Sequence, residues 1–281
     1  NNGYLEIFEK KIILIGGSTI HQGFHSDKET TAGYLQKKLI DFNFRYNVIN
    51  TGIPGARSKH HVDDLNYFKN NEQVKIFLIL VGANDITHYT YYFFDPNPWY
   101  KFFNADNILI ARIVREILYQ YKNKSELNIT GDINFKDDAS NIYNQRGMFN
   151  KKKKKSLSSF EIEKITNQIK KDIGKISKAC EKTDKFCVII NQPTIYDKKN
   201  LSNEKVLNII WGVPPFQRYS LDFKTASKLY KIVNTHIKNL RCKNCSIIDL
   251  NQAFNFDVQN FTDEMHFSQD GIKLSTNVIW K

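Results

Sequence analysis

The stretch Lys11-Ile-Ile-Leu-Ile-Gly-Gly-Ser-Thr19 decides how the rest of the chain can be arranged. Four consecutive aliphatic residues followed by two glycines predict a buried parallel strand that ends in a tight turn. Ser18 then lies at the carboxyl end of this strand, where open α/β sheets bind their ligands. A plain turn in which Ser18 or Thr19 caps the next helix explains the same residues, so this stretch alone leaves both interpretations open.

The same pattern recurs in the next two predicted strands. Residues 47–50 predict a short strand that runs into Thr51-Gly52-Ile53-Pro54-Gly55. Val74–Val81 predict a longer buried strand that ends in Gly82-Ala83-Asn84-Asp85. Three strands in succession that end in glycine and small polar residues predict a parallel sheet with a site along one edge.

The alternation of strands and helices resumes in the second half of the chain. Further strands are predicted over residues 186–190 and 246–249. Amphipathic segments predict helices over residues 30–44, 58–68 (with Ser58 as N-cap), 162–176 and 221–240. At 281 residues, one domain with an insertion accounts for this pattern better than two domains.

Residues 88–159 interrupt the alternation and are predicted to form this large insertion. Aromatic residues crowd positions 88–103, and residues 108–121 carry apolar side chains at helical spacing. The remainder is predicted to be a polar loop, which ends in Lys151–Lys155. The aromatic segment is expected to cover the core, although a substrate wall or a membrane-facing patch has the same composition.

The chain is strongly basic, with 41 Lys and Arg against 29 Asp and Glu, a net charge of +12. Such a surplus suits a membrane surface, an acidic polymer or nucleic acid. No nucleic-acid-binding motif accompanies the charge, so nucleic acid is not expected as a partner. No segment has the apolar length of a membrane span or the pattern of a signal peptide. The sequence starts with Asn-Asn-Gly rather than Met, which is compatible with a missing N-terminal anchor and slightly favours an extracytoplasmic or membrane-anchored location.

The four cysteines are Cys180, Cys187, Cys242 and Cys245. Their spacing is compatible with a zinc site, with two disulfides of an exported protein, or with buried free thiols. Cys187 lies inside an apolar strand-like run, which argues against an open cage of four thiolates. Thiols or structural disulfides are therefore favoured over zinc, and no metal is expected.

Residues 261–271 supply a second set of chemical groups. Asp263 precedes His266 by three residues on a loop that enters the last predicted helix, so its carboxylate can hold Nδ1 and leave Nε2 to face a nucleophile. By itself, this spacing is also typical of a helix cap beside a surface histidine. With Ser18 and the glycine-rich turns, it completes a set of nucleophile, base, orienting carboxylate and oxyanion donors. Five other histidines are interpreted as surface or loop residues: His21, His25, His60, His61 and His88.

These residues resemble the four name-giving blocks of the SGNH hydrolases, also called the GDSL esterase/lipase family, and they occur in the same order. Gly16-Gly17-Ser18-Thr19 is similar to the first block and residues 50–55 to the second. Gly82-Ala83-Asn84-Asp85 matches the third block, and Asp263-Glu264-Met265-His266 is similar to the fourth. The resemblance covers residues 11–87 and about 160–280, and four blocks in order are far more specific than one.

The resemblance implies a role for each of these residues. Ser18 would be the nucleophile, His266 the base and Asp263 its partner. The backbone N–H groups of Ser18 and Gly52 and the side-chain amide of Asn84 would form the oxyanion hole. The usual Asp of the first block is Gly17 here, which leaves the hydrogen bonding of this turn open.

Two polar residues of the third block have structural interpretations as well. Asn84 could instead cap the helix that follows its strand. Asp85 is expected to bond the backbone of a neighbouring loop and to have no catalytic role. The sequence leaves the choice for Asn84 open.

The resemblance further implies a three-layer α/β/α, flavodoxin-like fold with a parallel sheet of about five strands. The activity it implies is hydrolysis or transfer of an acyl or acetyl ester on a carbohydrate or lipid, without a cofactor. The alternative is a weak or inactive member of the fold that binds glycans or anionic ligands. The Asp263–His266 pair favours the enzyme, because a binding module has no use for an oriented base. A phosphate-binding protein is disfavoured, since no phosphate-loop motif follows a predicted strand.

Overall fold

The computed structural model describes residues 8–23, 25–94, 148–214 and 219–281. Its main sheet has five parallel strands in the order β2-β1-β3-β5-β7. A second, two-stranded parallel sheet pairs β4 with β6. The strands are Lys10–Ile15 (β1), Tyr46–Asn50 (β2), Val74–Val81 (β3), Lys153–Lys155 (β4), Phe186–Asn191 (β5), Tyr219–Leu221 (β6) and Cys245–Ile248 (β7).

Helices flank both faces of the main sheet. They are Ser18–His21 (α1), Thr31–Asp41 (α2), Ser58–Phe68 (α3), Ala83–Phe94 (α4), Met148–Lys151 (α5), Ser159–Glu181 (α6), Glu204–Leu207 (α7), Phe223–Lys238 (α8), Leu250–Phe254 (α9) and Gln269–Trp280 (α10). From β1 the sheet grows first towards β2 and then in the opposite direction through β3, β5 and β7. Because crossovers are right-handed, this reversal puts α2 and α3 on opposite faces. Helix α10 packs against α2, and α6 packs against α3 and α8, which gives the expected three layers.

The core lies on both sides of the three central strands. Ile13, Leu14 and Ile15 of β1 are fully buried, and so is the whole run from Phe77 to Val81 in β3. Buried residues at nearly every position are what a sheet covered on both faces requires. The predicted stripe of isoleucines from Ile162 to Ile176 forms the buried side of α6, whose first turn is closed by a capping box of Ser158 and Glu161.

The predicted strands and helices are confirmed within a few residues, with two local corrections. Ser58 is the first residue of α3 and not its cap, because Arg57 holds the N-cap position. Lys151–Lys155 is not a polar loop, since Lys153–Lys155 pairs in register with Tyr219–Leu221. In that small sheet Lys155 Nζ lies 4.2 Å from the centre of the Tyr219 ring.

The predicted insertion is described only at its two ends. Helix α4 continues to Phe94, past the predicted start of the insertion at residue 88, and its Tyr89 donates a hydrogen bond to Asp172 of α6. The aromatic residues from position 95 onwards and the helix predicted over 108–121 lie outside the described residues. Within the described part of the chain, no helix is both long and apolar enough to cross a membrane.

The cysteines form two disulfides. Cys180 pairs with Cys187 and Cys242 with Cys245, at Cα–Cα distances of 6.1 and 5.4 Å. Both distances lie within the range that disulfides span. The first bond ties the last turn of α6 to β5, and the second lies at the start of β7. This pairing leaves no thiolates for the zinc site that the sequence left open.

Candidate active site

Ser18, His266 and Asp263 come together at the carboxyl ends of the strands. Ser18 Oγ lies 2.6 Å from His266 Nε2, and His266 Nδ1 lies 2.6 Å from Asp263 Oδ2. Ser18 and His266 are 248 residues apart in sequence, so only the fold places them in contact. These two short contacts form an unbroken chain from hydroxyl through imidazole to carboxylate, the arrangement that activates a serine nucleophile.

The loop of the fourth block holds Asp263 and His266 rigidly. Asp263 Oδ1 accepts hydrogen bonds from the backbone N–H groups of Met265 and His266, both at 2.9 Å. The Thr262 N–H donates to the His266 carbonyl, which closes the loop on itself. Helix α10 starts directly behind it, with the Ser268 hydroxyl accepting from the Gly271 N–H. The carboxylate therefore has one oxygen for the loop backbone and the other for the imidazole.

The electrostatics of this pair favour a charged carboxylate beside a basic imidazole. Burial would raise the pKa of Asp263, but the charge and hydrogen bonds of His266 outweigh it and hold the pKa below its ordinary value. Burial would lower the pKa of His266, yet the Asp263 charge and hydrogen bond, with a further contribution from Glu264, raise it. A raised pKa makes His266 a stronger base for the Ser18 proton.

The turn after β1 places Ser18 at the first position of α1. The N-cap residue is Gly17, which makes no side-chain capping bond, so neither Ser18 nor Thr19 caps this helix. The Ser18 hydroxyl is directed to His266, and the Thr19 hydroxyl accepts from Gln192. A Cβ at Gly17 would lie 2.1 Å from Asn84 Nδ2, so the glycine leaves the space that the Asn84 amide occupies.

The expected oxyanion donors are only partly arranged as predicted. Asn84 Nδ2 lies against the nucleophile turn and gives one of its two hydrogens to the Ala56 carbonyl at 2.8 Å. Its side chain is therefore not used as a helix cap. The Gly52 N–H, in contrast, donates to Asn50 Oδ1 at 2.9 Å, so the structure does not leave it available to an oxyanion. An Asn side chain that bonds the N–H two residues on is a common turn motif, which the sequence Asn50-Thr-Gly could have signalled.

Gly55 ends the glycine-containing turn of the second block. It is exposed, it has φ of 77°, and it immediately precedes Ala56, whose carbonyl holds the Asn84 amide. Among the described residues its N–H has no acceptor. Only glycine adopts this backbone conformation without strain. The turn at Gly55 therefore leads directly into the carbonyl that holds the Asn84 amide.

Asp85 is structural, as predicted. It is buried and accepts hydrogen bonds from the N–H and the hydroxyl of Ser58, the latter at 2.8 Å, which fixes the start of α3 beside the site. Burial raises the pKa of Asp85 to about 6. The prediction for His61 is wrong, because it is only 2% exposed, and burial followed by the neighbouring His60 lowers its pKa to about 3.

Glu264, inside the fourth block, was not singled out from the sequence. Its side chain is 1% exposed and accepts the Trp211 N–H at 2.8 Å through Oε2. Burial, followed by the Asp263 charge, raises the pKa of Glu264 to about 7. The Trp211 ring centre lies 5.9 Å from that of His266. Glu264 therefore fixes the Trp211 segment beside the base, with a carboxyl group that titrates near neutral pH.

The described residues contain no group of three or more His, Cys, Asp or Glu side chains that could hold a metal ion. The polar groups around Ser18 are those of acyl transfer chemistry: a hydroxyl, an imidazole, a carboxylate and N–H donors.

No protein-family model and no curated protein sequence matches the chain. Solved structures do match. The chain is similar to TesA with a TM-score of 0.50 at 10% identity over 96% of both chains. It is similar to a gut microbial diltiazem-metabolizing enzyme with a TM-score of 0.53 at 12% identity, over 99% of this chain and 48% of that one. The acetyl xylan esterase AlAXEase matches with a TM-score of 0.47 at 15% identity, over 96% of this chain and 98% of that one.

TesA is a structural neighbour of the SGNH/GDSL type. At such low identities the likeness establishes the fold and leaves the chemistry to be argued from the site. The chain has the SGNH hydrolase fold expected from its four blocks, with the strand order of a flavodoxin-like sheet.

Proposed function

We propose that this protein is a serine esterase that forms an acyl-enzyme on Ser18 and passes the acyl group to water or to another alcohol. The observation that carries the proposal is the continuous contact Ser18 Oγ–His266 Nε2–Nδ1–Asp263 Oδ2, with both distances at 2.6 Å. The substrate class is an acyl or acetyl ester of a carbohydrate or lipid.

The reaction follows from these contacts. His266 Nε2 takes the proton of Ser18 as Oγ attacks the ester carbonyl, and Asp263 stabilises the imidazolium that forms. The alcohol leaves with the proton from His266, so that the acyl group remains on Ser18. Water or a second alcohol then attacks the acyl-enzyme by the same steps in reverse order.

The negative charge of the tetrahedral intermediate falls on the former carbonyl oxygen. We assign its stabilisation to the Ser18 N–H and the second hydrogen of Asn84 Nδ2. Gly52 takes part only if Asn50 releases its N–H. One donor of this kind contributes about 10²–10³ in rate.

The alternative, a binding module with this fold, is disfavoured by the same geometry. A binding site gains nothing from an imidazole whose basicity is raised by a buried carboxylate. The two functions are separated by incubation with a fluorophosphonate probe and by p-nitrophenyl acetate hydrolysis. Wild type and Ser202→Ala, which changes an exposed serine, should both label and turn over.

Ser18→Ala should do neither, because it lacks the attacking oxygen. A folded wild-type protein that neither labels nor hydrolyses would refute the esterase and leave the binding module. Labelling that persists in Ser18→Ala would place the nucleophile elsewhere.

A further inference from the structure

The end of the main sheet at which the strands begin lies opposite Ser18, and it carries several exposed hydrophobic side chains. Four linkers lead from helices into strands there: residues 42–45, 69–73, 182–185 and 239–244. We call these linkers, with the last turns of the helices before them and the first residues of the strands after them, the basal edge. All five strands of the main sheet are parallel, so they begin at this edge and end at the edge that holds the site.

Exposed apolar side chains concentrate on the basal edge. Of the eight large hydrophobic residues that are exposed in the described part of the chain, five lie on it: Ile40, Phe42, Phe44, Tyr67 and Phe186. Tyr67 is 80% exposed, Phe42 62% and Phe44 51%. A concentration of exposed aromatic side chains of this kind is typical of an interaction surface.

Two of these rings, Phe42 and Phe44, form a cluster with Trp280 beside the outer strand β2, whereas Tyr67 and Phe186 lie next to β3 and β5. Phe42 and Phe44 both contact Trp280 of α10, at ring-centre distances of 5.2 and 5.9 Å. Asn43 between them has φ of 60°, which makes the turn that brings both rings to the same side. Lys38 Nζ lies 5.8 Å from the Trp280 ring centre. This cluster packs on itself while its outer surface remains exposed.

The charge of the basal edge is positive. The four linkers contain six basic and two acidic residues: Arg45, Lys69, Lys182, Lys185, Arg241 and Lys243 against Glu72 and Asp184. Lys185 is buried and pairs with Asp184, so five basic residues face outward against Glu72. Lys281 follows Trp280 directly and is exposed. Exposed aromatic rings among lysines and arginines are the side chains that settle at the headgroup level of a bilayer.

We propose that the basal edge is a docking surface for an anionic lipid bilayer. Its exposed rings are spread over the starts of β2, β3 and β5, and a bilayer accommodates rings at such spacing without a matching partner surface. The bases between them complement anionic headgroups, which attract such segments over about a Debye length.

Docking in this way would set the direction in which the site faces. Strand β3 has eight residues, and at roughly 3.3 Å per residue the sheet is about 26 Å deep. Ser18 would therefore face away from the bilayer. This step rests on the proposed function. If the protein is an esterase docked in this way, its substrate is an ester of a glycan or another molecule above the membrane. A lipid of the membrane on which the protein docks would be out of reach of Ser18.

Vesicle flotation tests the docking surface. The whole chain is mixed with vesicles of phosphatidylcholine alone or with about one-third phosphatidylglycerol, at low and at high salt. The wild type should float with the anionic vesicles at about 0.1 M salt and be released at about 0.5 M. The double variant Phe42→Ser/Phe44→Ser should bind about tenfold more weakly, because it removes two rings that enter the interface.

The matched control is Phe160→Ser, which removes a ring that is 75% exposed at the first turn of α6, away from the basal edge. It should bind as the wild type does. Both variants change only exposed positions, so thermal unfolding equal to that of the wild type confirms that each is folded. No flotation of the wild type, or an equal loss in Phe160→Ser, would overturn the proposal. So would a dimer in solution that Phe42→Ser/Phe44→Ser dissociates, since the edge would then bind a second copy.

A separate measurement tests whether the site faces away from the bilayer. Labelling of Ser18 by a soluble fluorophosphonate should be equally fast with and without bound vesicles, whereas a site pressed against the bilayer would be protected. If the wild type floats but never labels, the docking surface stands and the esterase falls.

Discussion

Gly17→Ala is the substitution that most directly tests how the oxyanion hole is built. Gly17 immediately precedes the nucleophile and lies against the Asn84 side chain. An added Cβ would lie 2.1 Å from Asn84 Nδ2 and 3.3 Å from its Cγ. An ordinary contact between such atoms needs about 3.5 Å, so the amide has to move by more than about 1 Å.

That displacement has two costs. The hydrogen bond from Asn84 Nδ2 to the Ala56 carbonyl, 2.8 Å long, does not survive it, which removes about 1 kcal/mol of stability. The amide also leaves the position from which it can donate to the oxyanion. Losing one such donor costs about 10²–10³ in kcat, because the bond is stronger in the transition state than in the ground state.

The assay is p-nitrophenyl acetate hydrolysis, with kcat and KM measured separately. Gly17→Ala should lower kcat by about 10²–10³ and leave KM nearly unchanged. Gly174→Ala is the matched control, since nothing lies within 4 Å of a Cβ at that position in α6. It should keep full activity and gain up to about 1 kcal/mol of stability, as alanine replaces glycine inside a helix.

A double-mutant cycle shows whether the loss passes through Asn84. In the Asn84→Ala background the amide is gone, so adding Gly17→Ala should cost little more activity. Full activity in Gly17→Ala would refute the role of the Asn84 amide. Independent losses that add in the double variant would show that Gly17 acts on the Ser18 backbone and not on Asn84.

Two further predictions concern buried carboxyl groups near the site. Glu264→Gln keeps an acceptor for the Trp211 N–H but removes a negative charge that raises the pKa of His266. The acidic limb of the kcat/KM profile should then move to lower pH; an unmoved limb contradicts the coupling. Asp85 has a pKa raised to about 6 from 3.8, so the folded state holds its proton more tightly and stability falls as pH rises through this interval. The wild type should lose up to about 3 kcal/mol of its free energy of unfolding between pH 4 and pH 6.5, measured by denaturant unfolding, and Asp85→Asn should not. An equal fall in both proteins would contradict this prediction.

The types of most strands and helices and most of their boundaries were accessible from the sequence because they depend on local patterns. An uninterrupted aliphatic run such as Phe77–Val81 can only be a strand buried on both faces, and the isoleucine stripe of α6 can only be one side of a helix. The chemistry of Ser18, Asp263 and His266 was accessible for a different reason. The types and order of these residues resemble a known family closely enough to identify the set before any distance is known.

The finer arrangement of the site was not accessible, because it depends on contacts between residues far apart in the chain. The Gly52 N–H was expected at the oxyanion, but the Asn50 side chain accepts it in the structure. Gly17 departs from the family pattern, and the sequence does not explain why. In the structure a Cβ at this position would collide with the amide of Asn84, which lies 67 residues later in the chain.

The sequence by itself determined the α/β architecture and the set of residues proposed to react, because hydrophobic period and residue type are properties of short segments. Only the tertiary structure decided that Asn50 accepts the Gly52 N–H, that a buried Glu264 lies beside His266, and that exposed rings concentrate at the end of the sheet opposite Ser18. Each of these depends on how parallel strands align their ends in space, and the spacing of residues along the chain does not encode that alignment.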